Sequence, residues 1–465
     1  MSTDRMSPLD TWFLHLEDGV SHMHIGSVAI FEGPAPRFAD ILAMIAGKLP
    51  LVPRYRQVVR EVPFGLGREV WVDDTHFHLE YHVRHTGLPA PGGEADLRKL
   101  VGRVMSQQLD RSKPLWEIWV VEGLEDGHWA IVAKTHHAMV DGVSGTDLLT
   151  VIFDLSADPA PPLDDEWVPR PTPTGLQLST DALVGLARSP YEQLRALRAS
   201  TRVARQGLAH AREVLTGLFH MAGVVRPTPS SSLNGPIGPH RRYAWASTTV
   251  EDVKAVRRSV GGTFNDVILA AITNGFRELL VARTESVDRV VRTLVPVSIR
   301  PRDTSGKAVG DGTYQNKVSA MVAELPVGIA DPVERLHAIS AQMDGLKDSK
   351  QAVAGEALTA MSGFAPPLLL GLGMRLASKM PQRNVNTVTT NVPGPQLPLY
   401  VAGRRMLKAY PYVPLAEQIR IGVAIFSYDG QVNFGVTGDY DAAADLSVLC
   451  RGIEDGMAEL LKLAP

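Results

Sequence analysis

The stretch Trp129-Ala130-Ile131-Val132-Ala133-Lys134-Thr135-His136-His137-Ala138-Met139-Val140-Asp141-Gly142 constrains the fold more than any other. Its first five residues are apolar, too few for a helix, and follow the turn signal Glu125-Asp126-Gly127, so they predict a buried strand. Beyond Gly142, Leu148, Leu149, Ile152 and Phe153 recur in helical rhythm up to Leu155. The two histidines therefore stand where a strand ends and a loop begins, a place where a rigid scaffold displays reactive groups. Neighbours on an extended chain point to opposite faces, so one histidine can face a cavity while the other packs inward. Histidine suits proton transfer near neutral pH. Asp141 can orient the loop or the ring, and Gly142 lets a backbone or ligand approach closely. A plain strand end with an Asp-Gly turn uses the same residue types. So does a metal site, but that needs three or four ligands, and no fixed-spacing partner is visible.

At 465 residues the chain predicts two domains of about 200 residues each. Hydrophobic residues at 45% and charged residues at 21% place it among ordinary globular proteins. A formal net charge of −3 gives nucleic acid no overall attraction. The single cysteine, Cys450, excludes an internal disulfide framework, suits a reducing compartment and reads as helix packing. The N-terminus carries no basic segment followed by an apolar run, so no secretory signal is expected. No stretch reaches about 18 uninterrupted apolar residues, so no membrane span is expected; 363–376 comes nearest and is broken by Pro366 and Pro367.

Along the chain, helical patterns cover Ser7 to Leu16, 38–49 and 96–108. Strand patterns cover 23–31, 70–72 and 77–83. In a strand, His76, His78 and His82 would share a face near His85, as a metal patch would need, but a wet sheet edge is the plainer and preferred reading. A strand to Val121 forms a hairpin with the central strand. Six prolines between 159 and 173 mark an extended linker. Residues 191–222 form a long helical pattern in which Arg195, Arg198, Arg202, Arg205 and Arg212 face only Glu192 and Glu213. It reads as a helix bridging two domains, or as a basic amphipathic helix on anionic membrane. The second half reads as strand 242–249, helices 250–260 and 264–282, strands 290–299 and 316–323, helix 332–346, strand 386–391, a hairpin 419–437 turning at Asp429-Gly430, and helix 441–461. Alternating strands and helices with hairpins predict mixed sheets covered by helices, an α/β fold.

The motif His136-His137-x-x-x-Asp141-Gly142, on a chain without a Gly-x-Ser-x-Gly nucleophile elbow, resembles the coenzyme-A-dependent acyltransferase superfamily. Within it the chain resembles the bacterial wax ester synthase/acyl-CoA:diacylglycerol acyltransferase family over nearly its whole length. The residues that carry this are Ser7-Pro8-Leu9-Asp10, Met23-His24-Ile25-Gly26, Pro114-Leu115-Trp116, 234–241, Asn265-Asp266, 295–300, Asn391-Val392-Pro393-Gly394-Pro395 and Ser427-Tyr428-Asp429-Gly430. His22 departs from the family's usual proline. The histidine motif alone is shared with peptide condensation domains; the combination is more specific.

The resemblance implies two similar chloramphenicol-acetyltransferase-like domains, 1–165 and 233–465, joined by a proline-rich and helical linker, 166–232. Between them a tunnel would take acyl-CoA from one side and diacylglycerol or a long-chain alcohol from the other. Transfer would be direct, acyl-CoA serving as co-substrate, with no permanently bound cofactor and no metal. His137 would be the base, with His136 beside it and Asp141 an architectural anion. Asn265 would hold the developing oxyanion, although asparagine also favours a helix N-cap. Arg300 is a partner candidate across the domains. The place of work would be cytoplasmic, peripheral on the inner membrane or lipid bodies. Two other readings share the motif: a condensation-type enzyme using carrier-protein thioesters, and a non-catalytic lipid-surface protein.

Overall fold

The computed structural model describes residues 4–139, 152–158, 161, 163–184, 231–298, 318–348 and 385–463. The first half contributes strands β1 (Asp4–Arg5), β2 (His24–Phe31), β3 (Gln57–Arg60), β4 (Val70–Asp73), β5 (Val83–Gly87), β6 (Trp116–Glu122) and β7 (Trp129–His136). The second contributes β8 (Arg241–Thr249), β9 (Val291–Ser298), β10 (Val318–Leu325), β11 (Thr387–Pro393), β12 (Tyr400–Val401), β13 (Arg404–Tyr412), β14 (Ile421–Tyr428) and β15 (Gln431–Asp439). They form two six-stranded sheets, β12-β13-β2-β7-β6-β5 and β10-β9-β11-β14-β15-β8, and a small sheet β1-β4-β3. Both large sheets are mixed: β5 runs parallel to β6, and β11 parallel to β14 and β9, while the other pairs are antiparallel.

β7 lies inside its sheet and is buried at every position but Ala133. Its alternation serves two cores. Trp129 and Ile131 join Phe31, Trp116 and Ile118 on one face. Ala130 and Val132 join Val28 and the helix Glu94–Met105, through Leu97, Val101 and Val104, on the other. The second sheet is covered on one face by the helices Phe264–Ala282, Pro332–Asp348 and Leu446–Lys462. Cys450 packs in that last helix, where burial pushes its thiol up to about 12.

The sheets do not follow the chain. β12 and β13 lie within 233–465, yet β13 pairs antiparallel with β2 and completes the first sheet. Leu399, Val401, Met406, Ala409, Phe426 and Tyr428 complete the first half's core. The second sheet closes against this crossover: Tyr243 Oη donates to Pro411 O at 2.7 Å, and a side chain at Gly435 would overlap that same carbonyl. The linker's opening is strapped to the first half, Arg170 donating three hydrogen bonds of 3.0 Å to the Asp73 carboxylate, one from its backbone and two from its guanidinium. The helical pattern expected over 191–222 lies outside the described residues, as does most of that over 142–155.

One stretch departs from expectation. Residues 77–83 are not a strand: Leu79–His82 makes one helical turn and β5 begins at Val83. The turn carries His82 inward, its Nδ1 2.8 Å from Trp116 O and its ring stacked on the Trp116 indole at 4.6 Å. His85 instead pairs with Glu122 at 2.8 Å. His76, His78 and His82 therefore share no strand face, and no group of three metal-binding side chains converges among the described residues.

Candidate active site

The His136-His137 dipeptide is clamped through its backbone by two other motifs. The N–H of His136 donates to Leu115 O at 2.9 Å, and that of His137 to Met23 O at 2.8 Å. β7 then ends in a single 3-10 turn, His137–Met139. The two rings have different surroundings. His136 is fully buried and stands opposite His24 of β2. Its Nδ1 accepts from the N–H of Ala138 at 3.1 Å, which puts a neutral ring's proton on Nε2, facing Glu17 Oε2 at 3.7 Å.

Glu17 follows the helix Pro8–Leu16. Its buried carboxylate accepts from Arg111 Nε at 3.0 Å and Nη2 at 2.8 Å, and from the N–H of Met23 at 3.3 Å. Burial alone would raise its pKa; His136, Gln108 and Arg111 outweigh that and hold the carboxyl well below its usual range. Lys134 and His24 hold the row behind. Lys134 Nζ donates to Val104 O at 3.1 Å and to Gln107 O, and His24 Nε2 lies 2.8 Å from Met105 O. Both satisfy carbonyls at the C-terminal end of the helix Glu94–Met105, where donors and cations are favoured. Burial pulls the Lys134 ammonium down to about 8.

His137 is half-buried, and its ring stacks on Phe13 at 3.7 Å with 21° between planes. Burial pulls its pKa to about 4; a hydrogen bond to its own carbonyl pushes back, and His136 lowers it further. The ring is therefore unprotonated near neutral pH and keeps a lone pair on one of its two nitrogens. A neutral imidazole at the end of a strand is equipped to accept a proton.

In the second half Asn265 occupies the first turn of Phe264–Ala282. The cap belongs to Thr263, whose hydroxyl accepts from the N–H of Asp266 at 3.2 Å while Asp266 Oδ2 accepts from the N–H of Thr263 at 2.8 Å. Asn265 is therefore spare for the helix. Its Oδ1 accepts from Asn391 Nδ2 at 3.2 Å, which leaves its own –NH₂ as a donor. Asp141, Gly142 and Arg300 lie outside the described residues.

Two families of sequence pattern match the chain: the wax ester synthase/diacylglycerol acyltransferase catalytic domain over residues 6–268, and the C-terminal domain of that family over 314–461. A probable diacylglycerol O-acyltransferase of Mycobacterium tuberculosis is 40% identical over 465 residues, covering 99% of this chain and 96% of that one. The chain belongs to the wax ester synthase/diacylglycerol acyltransferase family. A second probable diacylglycerol O-acyltransferase of Mycobacterium tuberculosis is 32% identical over 474 residues, covering 98% of each chain. The solved wax ester synthase/diacylglycerol acyltransferase from Marinobacter aquaeolei superposes with a TM-score of 0.69 at 26% identity, covering 98% of each chain. The first condensation domain of the calcium-dependent antibiotic synthetase, at 15% identity, shares the fold, with a TM-score of 0.59 over 100% of this chain and 97% of that one.

The segments that carry the family resemblance have distinct work. Met23 and Leu115 hold the histidine backbone. Asn234 ties the chain together, donating to Val385 O at 2.8 Å and accepting from Asn386 at 2.6 Å. Sequence reasoning missed Glu17, Phe13 and Arg111. Glu17 reads as a solvated acid at a helix end. Its only signal is its place just ahead of Met23-His24, the segment that lies beside β7.

Proposed function

We propose that the chain transfers a long-chain acyl group from acyl-CoA to diacylglycerol, and to long-chain alcohols, with His137 as the base. The observation that carries the mechanism is the His137 ring, kept neutral by burial and stacked on Phe13, at the end of β7. The unprotonated nitrogen of the His137 ring takes the proton of the acceptor hydroxyl as its oxygen attacks the thioester carbonyl carbon. The –NH₂ of Asn265 donates to the oxyanion that forms, as a neutral preorganised dipole. Collapse breaks the carbon–sulfur bond, and the departing CoA thiolate takes the proton from His137. No acyl-enzyme is formed, acyl-CoA is a co-substrate, and no resident cofactor or metal is needed. His136 holds the turn from behind through Ala138 and Glu17.

No helix among the described residues is long and apolar enough to cross a membrane. Apolar substrates still require a lipid interface, so we place the enzyme peripherally on the cytoplasmic face of the inner membrane or on lipid bodies. Neutralising Arg195, Arg198, Arg202 and Arg205 tests this: loss of about 1 kcal/mol per charge in co-sedimentation with anionic liposomes supports a membrane-lying segment, and unchanged sedimentation supports a plain bridge. The activity is tested with the purified protein, labelled palmitoyl-CoA and a panel of diacylglycerol, monoacylglycerol and long-chain alcohols. Labelled triacylglycerol is the expected product. Transfer from a carrier-protein thioester but not from CoA would favour the condensation-type reading, and no transfer at all the lipid-surface one.

A further inference from the structure

We propose that Asn391 is a positioning residue for acyl transfer: it holds the Asn265 side chain with its oxygen turned to Asn391 and its –NH₂ turned toward the reacting carbonyl. This rests on the reading that Asn265 donates to the oxyanion. An asparagine amide carries an acceptor at one end and two donors at the other, and its two orientations have nearly the same shape. A free Asn265 could therefore present either end, and the acceptor end would repel an oxyanion. The helix does not choose between them, because Thr263 and Asp266 complete its cap without Asn265. Among the hydrogen bonds of the Asn265 side chain, the one that chooses is the donation from Asn391 Nδ2 to Asn265 Oδ1 at 3.2 Å.

Asn391 is itself firmly seated. On β11 the residues Thr387, Thr389 and Asn391 recur every second position and share one face. The two threonines are buried and committed, Thr387 Oγ1 donating to Ile421 O at 2.8 Å and Thr389 Oγ1 accepting from Thr293 Oγ1 at 2.7 Å. Asn391 is the next polar group of that row, and its backbone lies opposite Ile425 of β14 in parallel register. Just beyond it the chain is clipped again. The N–H of Gly394 donates to Ser427 Oγ at 3.2 Å, and the N–H of Asp429 to Pro395 O at 3.1 Å. A side chain at Gly394 would overlap the Ser427 carbonyl, so this approach demands glycine. The segment Asn391-Val392-Pro393-Gly394-Pro395 and the turn Ser427-Tyr428-Asp429-Gly430 thus form one rigid mount. The object mounted is the Asn391 amide, and the group it meets is Asn265.

The test uses the full-length enzyme, palmitoyl-CoA and diacylglycerol, with kcat, KM and a melting curve for each variant. Asn391→Ala frees the Asn265 amide to rotate and should lower kcat by about 10- to 100-fold, the scale of a misplaced reacting group, while KM changes little. Asn391→Asp is isosteric but can only accept. It should draw the –NH₂ of Asn265 to itself, turn Oδ1 toward the oxyanion, and lower kcat as much as Asn265→Ala, about 10²–10³-fold. The double variant Asn265→Ala/Asn391→Ala should be no slower than Asn265→Ala alone, since Asn391 acts through Asn265. Multiplying losses in the double variant, or Asn391→Asp being no slower than Asn391→Ala, would overturn the proposal. If Asn265→Ala keeps its turnover, the oxyanion reading fails and this one with it. If Asn391→Ala does not fold, the isosteric Asn391→Asp carries the test alone: unchanged melting with kcat retained overturns it.

Discussion

The end of β7 and the corner between β11 and the helix Phe264–Ala282 solve opposite problems with opposite chemistry. Behind the histidines lies a buried ionic arrangement, in which Glu17 is answered by Arg111 and Lys134 by helix-end carbonyls. At the second corner two neutral amides meet, Asn265 and Asn391. The difference teaches that, among the described residues, the Glu17 charge stands one layer behind the proposed base. His136 meets the carboxylate, while His137, one residue on, is kept neutral by burial and the Phe13 ring. In the proposed mechanism these charged groups set position, and the neutral His137 and Asn265 meet substrate.

The strongest way to break this comparison is to separate the halves. A fragment 1–165 lacks β12 and β13, so it loses the strand that pairs with β2 and a block of its core. It should show no cooperative melting and no transfer; a folded, active fragment would contradict the shared architecture. Next is Glu17→Ala, which removes the buried end of the Arg111 pair and leaves the N–H of Met23 and the His136 ring without their carboxylate. A loss of about 3 kcal/mol in unfolding free energy is expected from these unsatisfied buried groups, read from denaturant titration. A variant as stable as the parent would show that the ion pair does not hold the turn. Asn265→Ala should remove about 2.7–4 kcal/mol of transition-state stabilisation, a 10²–10³-fold loss in kcat with melting unchanged. A loss of melting temperature alone would return Asn265 to a structural role.

The smallest expected effect concerns pH. A base works unprotonated, so a lowered pKa carries the acid limb of kcat/KM to lower pH. The limb assigned to His137 should fall below the ordinary value of 6.5, toward about 4. Phe13→Ala admits water to the ring and should move that limb upward, toward the ordinary value. A limb unmoved by Phe13→Ala would show that the stack does not set the proton affinity.

How far the sequence disclosed this depends on whether a signal is local. Phe264–Ala282 was legible to its ends because Thr263 and Asp266 cap it and its apolar spacing is helical. The buried run before the histidines marked β7 for the same reason. β13 was not legible: Arg404-Arg405 opens it and Pro411 interrupts its pattern, and its reason for being a strand is β2, far away in the chain. The site divides likewise. The histidine motif announces itself by spacing. Glu17 and Asn391 acquire meaning only when folding brings them to His136 and Asn265, and the sequence contains no spacing that records either meeting.

The central claim is that of the two adjacent histidines His137 takes the proton and His136 holds the turn. The direct measurement is turnover with palmitoyl-CoA and diacylglycerol beside a melting curve for His137→Ala and His136→Ala. A positioned base contributes about 10²–10⁴ in rate, so His137→Ala should lose at least two decades in kcat while melting close to the parent. His136→Ala leaves a cavity and strips Ala138 and Glu17 of a partner, so it should lose more stability and less turnover per folded molecule. If His136→Ala is the stable but inactive variant, the roles are reversed, and if both keep near-parental turnover, base catalysis by this motif is wrong.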